Sequence, residues 1–154
     1  LGDFGHATAT RLPAIRAIFD AIPGRKHLIR GNHDTKHCLS LPWTSVHDMH
    51  MITLDEGHFF LCHYPMRSWP SAHHGVIHLF GHVHNAWSGC RRSINLGVEW
   101  WNYAPASPAE ILDRAASLPE LREFVVVLDT LTRMGDAAED AAHGVHAEGV
   151  EAVA

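Results

Sequence analysis

The chain has 154 residues, which suits a single domain, and 46% of them are hydrophobic. No apolar run approaches the ~18 residues that cross a bilayer, and no signal-peptide pattern opens the sequence, so we expect a soluble protein without a membrane partner. Three cysteines without a C-x-x-C pair favour a reducing cytoplasm over a disulfide framework.

The formal net charge of −5 is unevenly distributed along the chain. Residues 1–134 contain 12 acidic and 12 basic side chains, whereas residues 135–154 contain five acidic side chains and no Lys or Arg. A neutral body gives no electrostatic support for nonspecific nucleic-acid binding. We therefore predict one domain over 1–134, followed by an acidic, disordered tail over 135–154 that lacks hydrophobic periodicity.

The start of the chain predicts a β-α-β arrangement. Leu1 is interpreted as the last residue of a strand, because a glycine and a polar residue follow it. Apolar residues at helical spacing predict a helix over 10–21, with either Ile18 or Phe19 on its buried face. A strand over 26–30 follows, and this order implies a parallel pair of strands joined by a right-handed crossover.

The middle of the chain predicts a hairpin, because alternating residues over 46–54 and an apolar run over 58–63 flank the turn Asp55-Glu56-Gly57. A loop follows, and then two strands and two helices that begin at capping boxes. These elements are the strands over 76–80 and 93–97 and the helices that start at residues 107–110 and 117–120.

Several predicted strands end at residues that can bind a metal ion. Glycine lets the chain turn sharply off a strand, and the tip then presents carboxylate, amide or imidazole groups, which suit borderline divalent ions. Open α/β sheets bind ligands at the carboxyl ends of their strands, so we expect these groups to meet at one edge. The segments concerned are Gly2-Asp3, Gly31-Asn32-His33-Asp34, His63 and Gly81-His82-Val83-His84.

Each of these signals has an ordinary structural explanation when it stands alone. Asn32 after a glycine is compatible with a simple turn, and a lone His63 at a strand end is more often a hydrogen-bonded side chain. Histidine is also abundant in this chain, with 15 residues. The occurrence of all four segments in order is what favours a metal centre.

The same segments resemble the calcineurin-like metallophosphoesterase superfamily over most of residues 1–104. The surrounding sequence, at residues 24–34, 62–69 and 101–105, is similar to a bacterial and phage branch of small predicted phosphoesterases. The resemblance implies an α/β fold of layered β-sheets flanked by helices. The superfamily's first motif, Asp-x-His on the first strand, has no counterpart here, so we expect an N-terminally truncated member that lacks the first β-α-β unit.

Matching motifs carry the family's metal ligands onto this chain. Asp3 would bridge two divalent metal ions, and Mn, Fe, Zn or Ni are each compatible with nitrogen and oxygen ligands. Asn32, His63 and His82 would complete the shell of one ion. His84 would bind the other ion, which without the first motif keeps two protein ligands, so we expect one tightly bound metal.

The resemblance also implies the catalytic roles. His33 would protonate the leaving-group oxygen as general acid, and Asp34 would orient its imidazole. Arg67, in the loop after His63, is a candidate clamp for the substrate phosphate, with a solvated loop arginine as the alternative.

The implied function is hydrolysis of a phosphomonoester or phosphodiester through a metal-bound water, with the particular phosphoester left open. The alternative is a truncated, inactive metal-binding scaffold or interaction module. The presence of His33 favours the enzyme, and the lack of the first motif favours the scaffold.

Overall fold

A five-stranded mixed sheet and a two-stranded parallel sheet form the β-structure of residues 1–120, the part of the chain that the computed structural model describes. The α/β class expected from the sequence is confirmed. The second predicted helix after residue 117 and the predicted acidic tail lie outside the described residues. The strands are β1 (His27–Ile29), β2 (Ser45–His47), β3 (Met49–Leu54), β4 (Gly57–Cys62), β5 (Ile77–Phe80), β6 (Gly89–Cys90) and β7 (Ser93–Asn95), and the helices are α1 (Leu12–Ala21), α2 (Lys36–Leu39) and α3 (Pro108–Ser117).

The larger sheet has the strand order β3-β4-β5-β7-β6. Its three inner strands, β4, β5 and β7, are parallel, and the outer strands run antiparallel to their neighbours. Leu61 of β4 pairs with Leu79 of β5, and beyond the strands the Gly81 amide donates to the His63 carbonyl oxygen over 2.9 Å. The parallel pairing therefore brings the chain after β4 beside the chain after β5.

The predicted hairpin is present, but its first half belongs to two sheets. Strands β3 and β4 are antiparallel, with Leu54 opposite Gly57 across the turn. The prediction of one continuous strand over 46–54 is wrong, because the chain bends at Asp48 between β2 and β3. The Asp48 carboxylate lies 2.6 Å from the Arg30 guanidinium and connects the bend to the chain after β1.

The sequence predicted that β1 pairs in parallel with a strand that ends at Leu1, and the structure shows a different partner. Strand β1 pairs in parallel with β2, and Leu1 belongs to no strand. Gly2 and Asp3 have φ angles of 77° and 54°, in the left-handed region. A strand requires extended backbone, so these residues cannot continue a ladder beside β1.

Helix α1 packs through Phe19, which is 3% exposed, whereas Ile18 is 59% exposed and faces solvent. The structure therefore decides between the two residues left open by the periodicity. Phe19 belongs to a small core with Ala7, Cys38 and Leu41. Cys38 and Leu41 connect this core to the chain that follows residues 31–34.

Helix α3 begins at the predicted capping box. The Ser107 hydroxyl accepts from the Glu110 amide, and the Glu110 carboxylate accepts from the Ser107 amide at 2.8 Å. Ile111 and Ala115 on its buried face pack against the larger sheet. Within residues 1–120, no helix has both the length and the apolar character that a membrane span requires.

Candidate metal centre

Ligand atoms from Asp3, Asn32, His63 and His82 converge at the carboxyl ends of β1, β4 and β5. Asn32 Oδ1 lies 3.0 Å from His63 Nε2 and 3.0 Å from His82 Nδ1. Asp3 Oδ2 lies 3.3 Å from His63 Nε2. One ligand atom from each of Asp3, His63 and His82 lies within 4.8 Å of the other two. The structure thus brings together four of the five metal ligands predicted from the sequence.

A hydrogen bond behind the His63 ring sets which of its nitrogens is free. His63 Nδ1 lies 2.8 Å from the Leu1 carbonyl oxygen, which can only accept, so Nδ1 carries the proton. The other ring nitrogen, Nε2, faces oxygen atoms of Asp3 and Asn32, which are acceptors. A cation resolves such a convergence of acceptors, and one carboxylate, one amide oxygen and two imidazoles fit a divalent metal ion.

Backbone conformation marks the same residues. Asp3 and His82 have φ angles of 54° and 66°, a region that side-chain-bearing residues rarely adopt. Such conformations cost on the order of 1–3 kcal/mol each and concentrate at functional sites. Both residues contribute ligand atoms to the cluster, which is consistent with a backbone arranged for binding.

Two glycines let the ligand-bearing segments approach each other closely. A Cβ atom on Gly2 would lie 2.8 Å from Gly31 Cα, and a Cβ atom on Gly31 would lie 2.9 Å from Asp3 Cγ. Neither distance is possible unless neighbouring atoms move, and a Cβ atom on Gly31 would also overlap the main-chain nitrogen of Asp3. The glycines of the two motifs therefore allow Asp3 and Asn32 to reach the same point.

Asp34 joins these two segments through the main chain. Its Oδ2 accepts from the Asp3 amide at 2.9 Å and from the Gly31 amide at 2.8 Å. Its Oδ1 accepts from the Gly5 amide at 3.5 Å and from the Cys38 thiol at 3.3 Å. The carboxylate is buried, with 6% of the residue exposed. The sequence predicted that Asp34 orients the His33 imidazole. The contacts of Asp34 are different, because no described hydrogen bond joins it to the His33 ring.

The Cys38 thiol is kept protonated by its surroundings. Burial, the hydrogen bond to Asp34 and the Asp34 charge raise the pKa of Cys38 to about 12. A neutral thiol serves here as a donor to the carboxylate. This cysteine therefore has a structural rather than a nucleophilic environment.

His33 lies beside the cluster without contributing a ligand atom to it. Its amide donates to Asp3 Oδ1 over 2.8 Å, which connects its backbone to the proposed bridging carboxylate. The residue is exposed, and its ring packs edge-on against His6 with ring centroids 6.0 Å apart. The His33 imidazole is therefore accessible from solvent next to the cluster.

His84 is not part of the group of converging ligand atoms. Its side chain is 74% exposed, and its Nδ1 lies 2.8 Å from Glu99 Oε1. The hydrogen bond from His84 lowers the pKa of Glu99. The predicted second metal position therefore has one exposed imidazole with a carboxylate behind it.

Arg67, the predicted phosphate clamp, is exposed and forms no hydrogen bond or ion pair with the described residues. The structure leaves its guanidinium free for an external partner. Its role stays a prediction.

Three residues that contact predicted ligands were not predicted from the sequence. The Tyr64 ring packs edge-on against His63 and His82, with centroid distances of 5.0 and 4.7 Å, and Tyr64 is 44% exposed. Glu99 contacts His84, and the buried Asn95 binds the loop that carries it. The position of Tyr64 next to a predicted ligand is a sequence signal for it, whereas Asn95 and Glu99 carry no comparable local pattern.

Fold and site together define an α/β protein with a candidate metal centre at the carboxyl ends of its strands. Neither a family model nor a curated protein matches the sequence. Among solved structures, the chain is similar to the protein of unknown function AQ665 from Aquifex aeolicus, with 29% identity, a TM-score of 0.57 and 72% of each chain covered. The likeness to AQ665 supports the α/β fold.

Proposed function

We propose that this chain is a metal-dependent phosphoesterase of the calcineurin-like type, which hydrolyses a phosphomonoester or phosphodiester. The observation that carries the proposal is the convergence of Asp3, Asn32, His63 and His82 beside an exposed His33. The layered sheets of that superfamily are part of the same proposal. They are supported by the two sheets whose strands end at one site.

The four converging residues would hold one divalent ion, with Asp3 also facing a second. Two such ions, when bound, acidify water and neutralise the charge of a phosphoester. Asp3 has a further task, since its Oδ1 accepts from the His33 amide while its Oδ2 faces His63. One carboxylate therefore determines the distance between the metal ligands and the His33 backbone.

His33 would act on the leaving group. An alkoxide leaves poorly unless it receives a proton, and an imidazole near neutral pH can supply one. The ring is exposed and is not part of the ligand set, so binding of an ion leaves it able to carry that proton.

A substrate has room next to the centre. A cavity of about 530 Å³ has among its lining residues Asn32, Tyr64, Met49, Met66 and Arg30. Ligand pockets typically combine apolar walls with a few polar groups, as this one does. The organic part of a phosphoester would lie there.

The alternative function is a metal-binding scaffold without turnover. The exposed His84 is not part of the converging group, which favours the scaffold, because only one ion would then be held firmly. A single ion provides one Lewis acid where the proposed reaction uses two.

The test compares two phosphomonoesters with different leaving groups, in the presence of added Mn²⁺. His33→Asn should reduce hydrolysis of an alkyl phosphate by ~10²-fold or more. Hydrolysis of p-nitrophenyl phosphate should fall less, because its leaving group needs no proton. Metal binding should be unchanged, and His73→Asn, at an exposed histidine in another loop, is the matched control.

Equal losses on both substrates would remove the general-acid role of His33. Metal binding without hydrolysis of either ester, or of the corresponding diesters, would favour the scaffold.

A further inference from the structure

We propose that Glu99 is a positioning residue for His84: its carboxylate holds the Nδ1 proton, so that Nε2 is the nitrogen offered to a second divalent ion. The inference rests on the proposed function, because it concerns the second metal position of that centre. It adds a residue that neither the motifs nor the resemblance identified.

The hydrogen bond determines the tautomer of the His84 ring. Nδ1 and Glu99 Oε1 are 2.8 Å apart, and an ionised carboxylate can only accept, so Nδ1 must carry the proton. The lone pair of the neutral ring then lies on Nε2. His63 shows the same arrangement, with Nδ1 donating to the Leu1 carbonyl oxygen and Nε2 facing the ligand cluster. Metal-binding histidines are commonly oriented by such oxygen partners.

The main chain of His84 is held independently of its ring. Its carbonyl oxygen accepts from Asn95 Nδ2 at 2.8 Å and from Trp100 Nε1 at 2.9 Å. Its φ angle of 49° lies in the left-handed region, a conformation that surrounding contacts must maintain. The backbone thus directs the side chain, and Glu99 then selects the orientation of the ring.

Asn95 connects the loop of His84 to the loop of Glu99. It is 0% exposed and donates also to the Trp87 carbonyl oxygen at 2.7 Å, while its Oδ1 accepts from the Gly97 amide at 2.7 Å. Both amide hydrogens and the oxygen of the side chain are therefore in use. This buried group sets the spacing between the histidine and the carboxylate.

The two side chains of this exposed pair differ in how much of each is accessible to solvent. The Glu99 side chain is 28% exposed, against 74% for His84, so the carboxylate lies behind the ring and the ring faces outward. A Cβ atom on Gly97 would lie 3.0 Å from Glu99 Oε2, which shows how closely the backbone approaches the second carboxylate oxygen. An exposed pair of this kind adds little to stability, so the consequence argued here is the orientation of the His84 ring.

The first experiment measures metal binding by the full chain. Mn²⁺ titrations followed by electron paramagnetic resonance should show a tight and a weak class of ion. Glu99→Ala should weaken the weak class by ~10–100-fold and leave the tight class unchanged. Glu99→Gln should give a smaller loss, because its amide oxygen can still accept from Nδ1. Glu56→Ala, in the turn between β3 and β4, is the matched control.

The second experiment reads the tautomer directly, without metal and without substrate. Nitrogen-15 spectra of the His84 ring, assigned by comparison with His84→Ala, should show a protonated Nδ1 in the unaltered chain and in Glu99→Gln. In Glu99→Ala they should show a mixture of the two tautomers. In the His84→Ala background, Glu99→Ala should cause no further loss of metal affinity.

An unchanged weak class and an unchanged tautomer in Glu99→Ala would overturn the proposal, and so would a titration that shows one class of ion only. Changed metal affinity and tautomer, in a chain that hydrolyses no phosphoester, would support the positioning role and count against the phosphoesterase. The two proposals therefore fail by different measurements.

Discussion

The Nδ1 nitrogen of His63 donates a hydrogen bond of 2.8 Å to the main-chain carbonyl oxygen of Leu1. This contact connects the first residues of the chain to the end of β4. It also turns Nε2 toward the carboxylate of Asp3 and the amide oxygen of Asn32. One nitrogen and two oxygen atoms of the candidate metal centre therefore face one another. A buried histidine with 2% of its surface exposed has little freedom to choose another orientation.

The structure predicts that His63 is required for one tightly bound ion per chain. His63→Ala removes one of four converging ligands, and we expect the affinity for Mn²⁺ to fall by ~100-fold or more. Since a bound ligand stabilises the folded state, Mn²⁺ should raise the Tm of the unaltered chain and not of the variant. His73→Ala, at an exposed position, is the control, and a Tm rise of equal size in His63→Ala would contradict the assignment.

Asp34→Asn should lower both stability and metal affinity. Its two carboxylate oxygens accept from three main-chain amides and a thiol, so the amide group of Asn must place an N–H against other donors. We expect a loss of about 1–3 kcal/mol in the free energy of unfolding, measured by urea denaturation.

Asp48→Asn provides the matched control for Asp34. Its carboxylate pairs with Arg30 in solvent, with 67% of the side chain exposed, so the cost should stay below about 1 kcal/mol. Equal costs at the two positions would show that the main-chain contacts of Asp34 contribute little.

Arg67→Lys should raise KM for a phosphoester while metal content stays constant. A guanidinium can bind a phosphate through two parallel hydrogen bonds, which an ammonium group cannot reproduce. The free, exposed position of Arg67 allows this contact. Arg25→Lys, at another exposed arginine, is the control, and an unchanged KM in Arg67→Lys would leave Arg67 as a solvated loop residue.

Stability should fall as the pH decreases from about 6.5 to about 4, in part because of His78. The ring is 0% exposed among Trp69, Phe60 and Phe80, and burial lowers its pKa to about 4. In this pH window the unfolded chain binds a proton that the folded chain excludes, so protonation favours unfolding. The contribution reaches about 3 kcal/mol at the acidic end.

Urea denaturation at several pH values measures this dependence. His78→Asn, whose amide can still bond to Ser93, should lose the corresponding part of the slope even though it also lowers stability at neutral pH. An NMR titration of the His78 ring is an independent measurement, and a ring that becomes protonated near pH 6.5 would contradict the prediction.

Local patterns in the sequence were sufficient for much of the fold. Helix α3 begins at the predicted capping box, and the hairpin β3–β4 forms around the predicted turn, because both features depend on residues within a few positions of each other. The division of residues 46–54 at Asp48 could not be predicted in this way. Alternation continues on both sides of the bend, and only the pairing with β1 and β4 separates the two halves.

The sequence by itself determined which ligand groups follow β1, β4 and β5, since a ligand residue shortly after an apolar run is a local signal. Tertiary structure alone decided how those groups are used. The partners of His63, Asn32 and His84 lie 62, 31 and 15 residues away, at Leu1, His63 and Glu99 respectively. Such distant contacts determine the tautomers of the histidine rings, the main-chain partners of Asp34 and the position of Glu99. A hydrogen bond is set by distance and direction in space, and spacing along the chain carries neither.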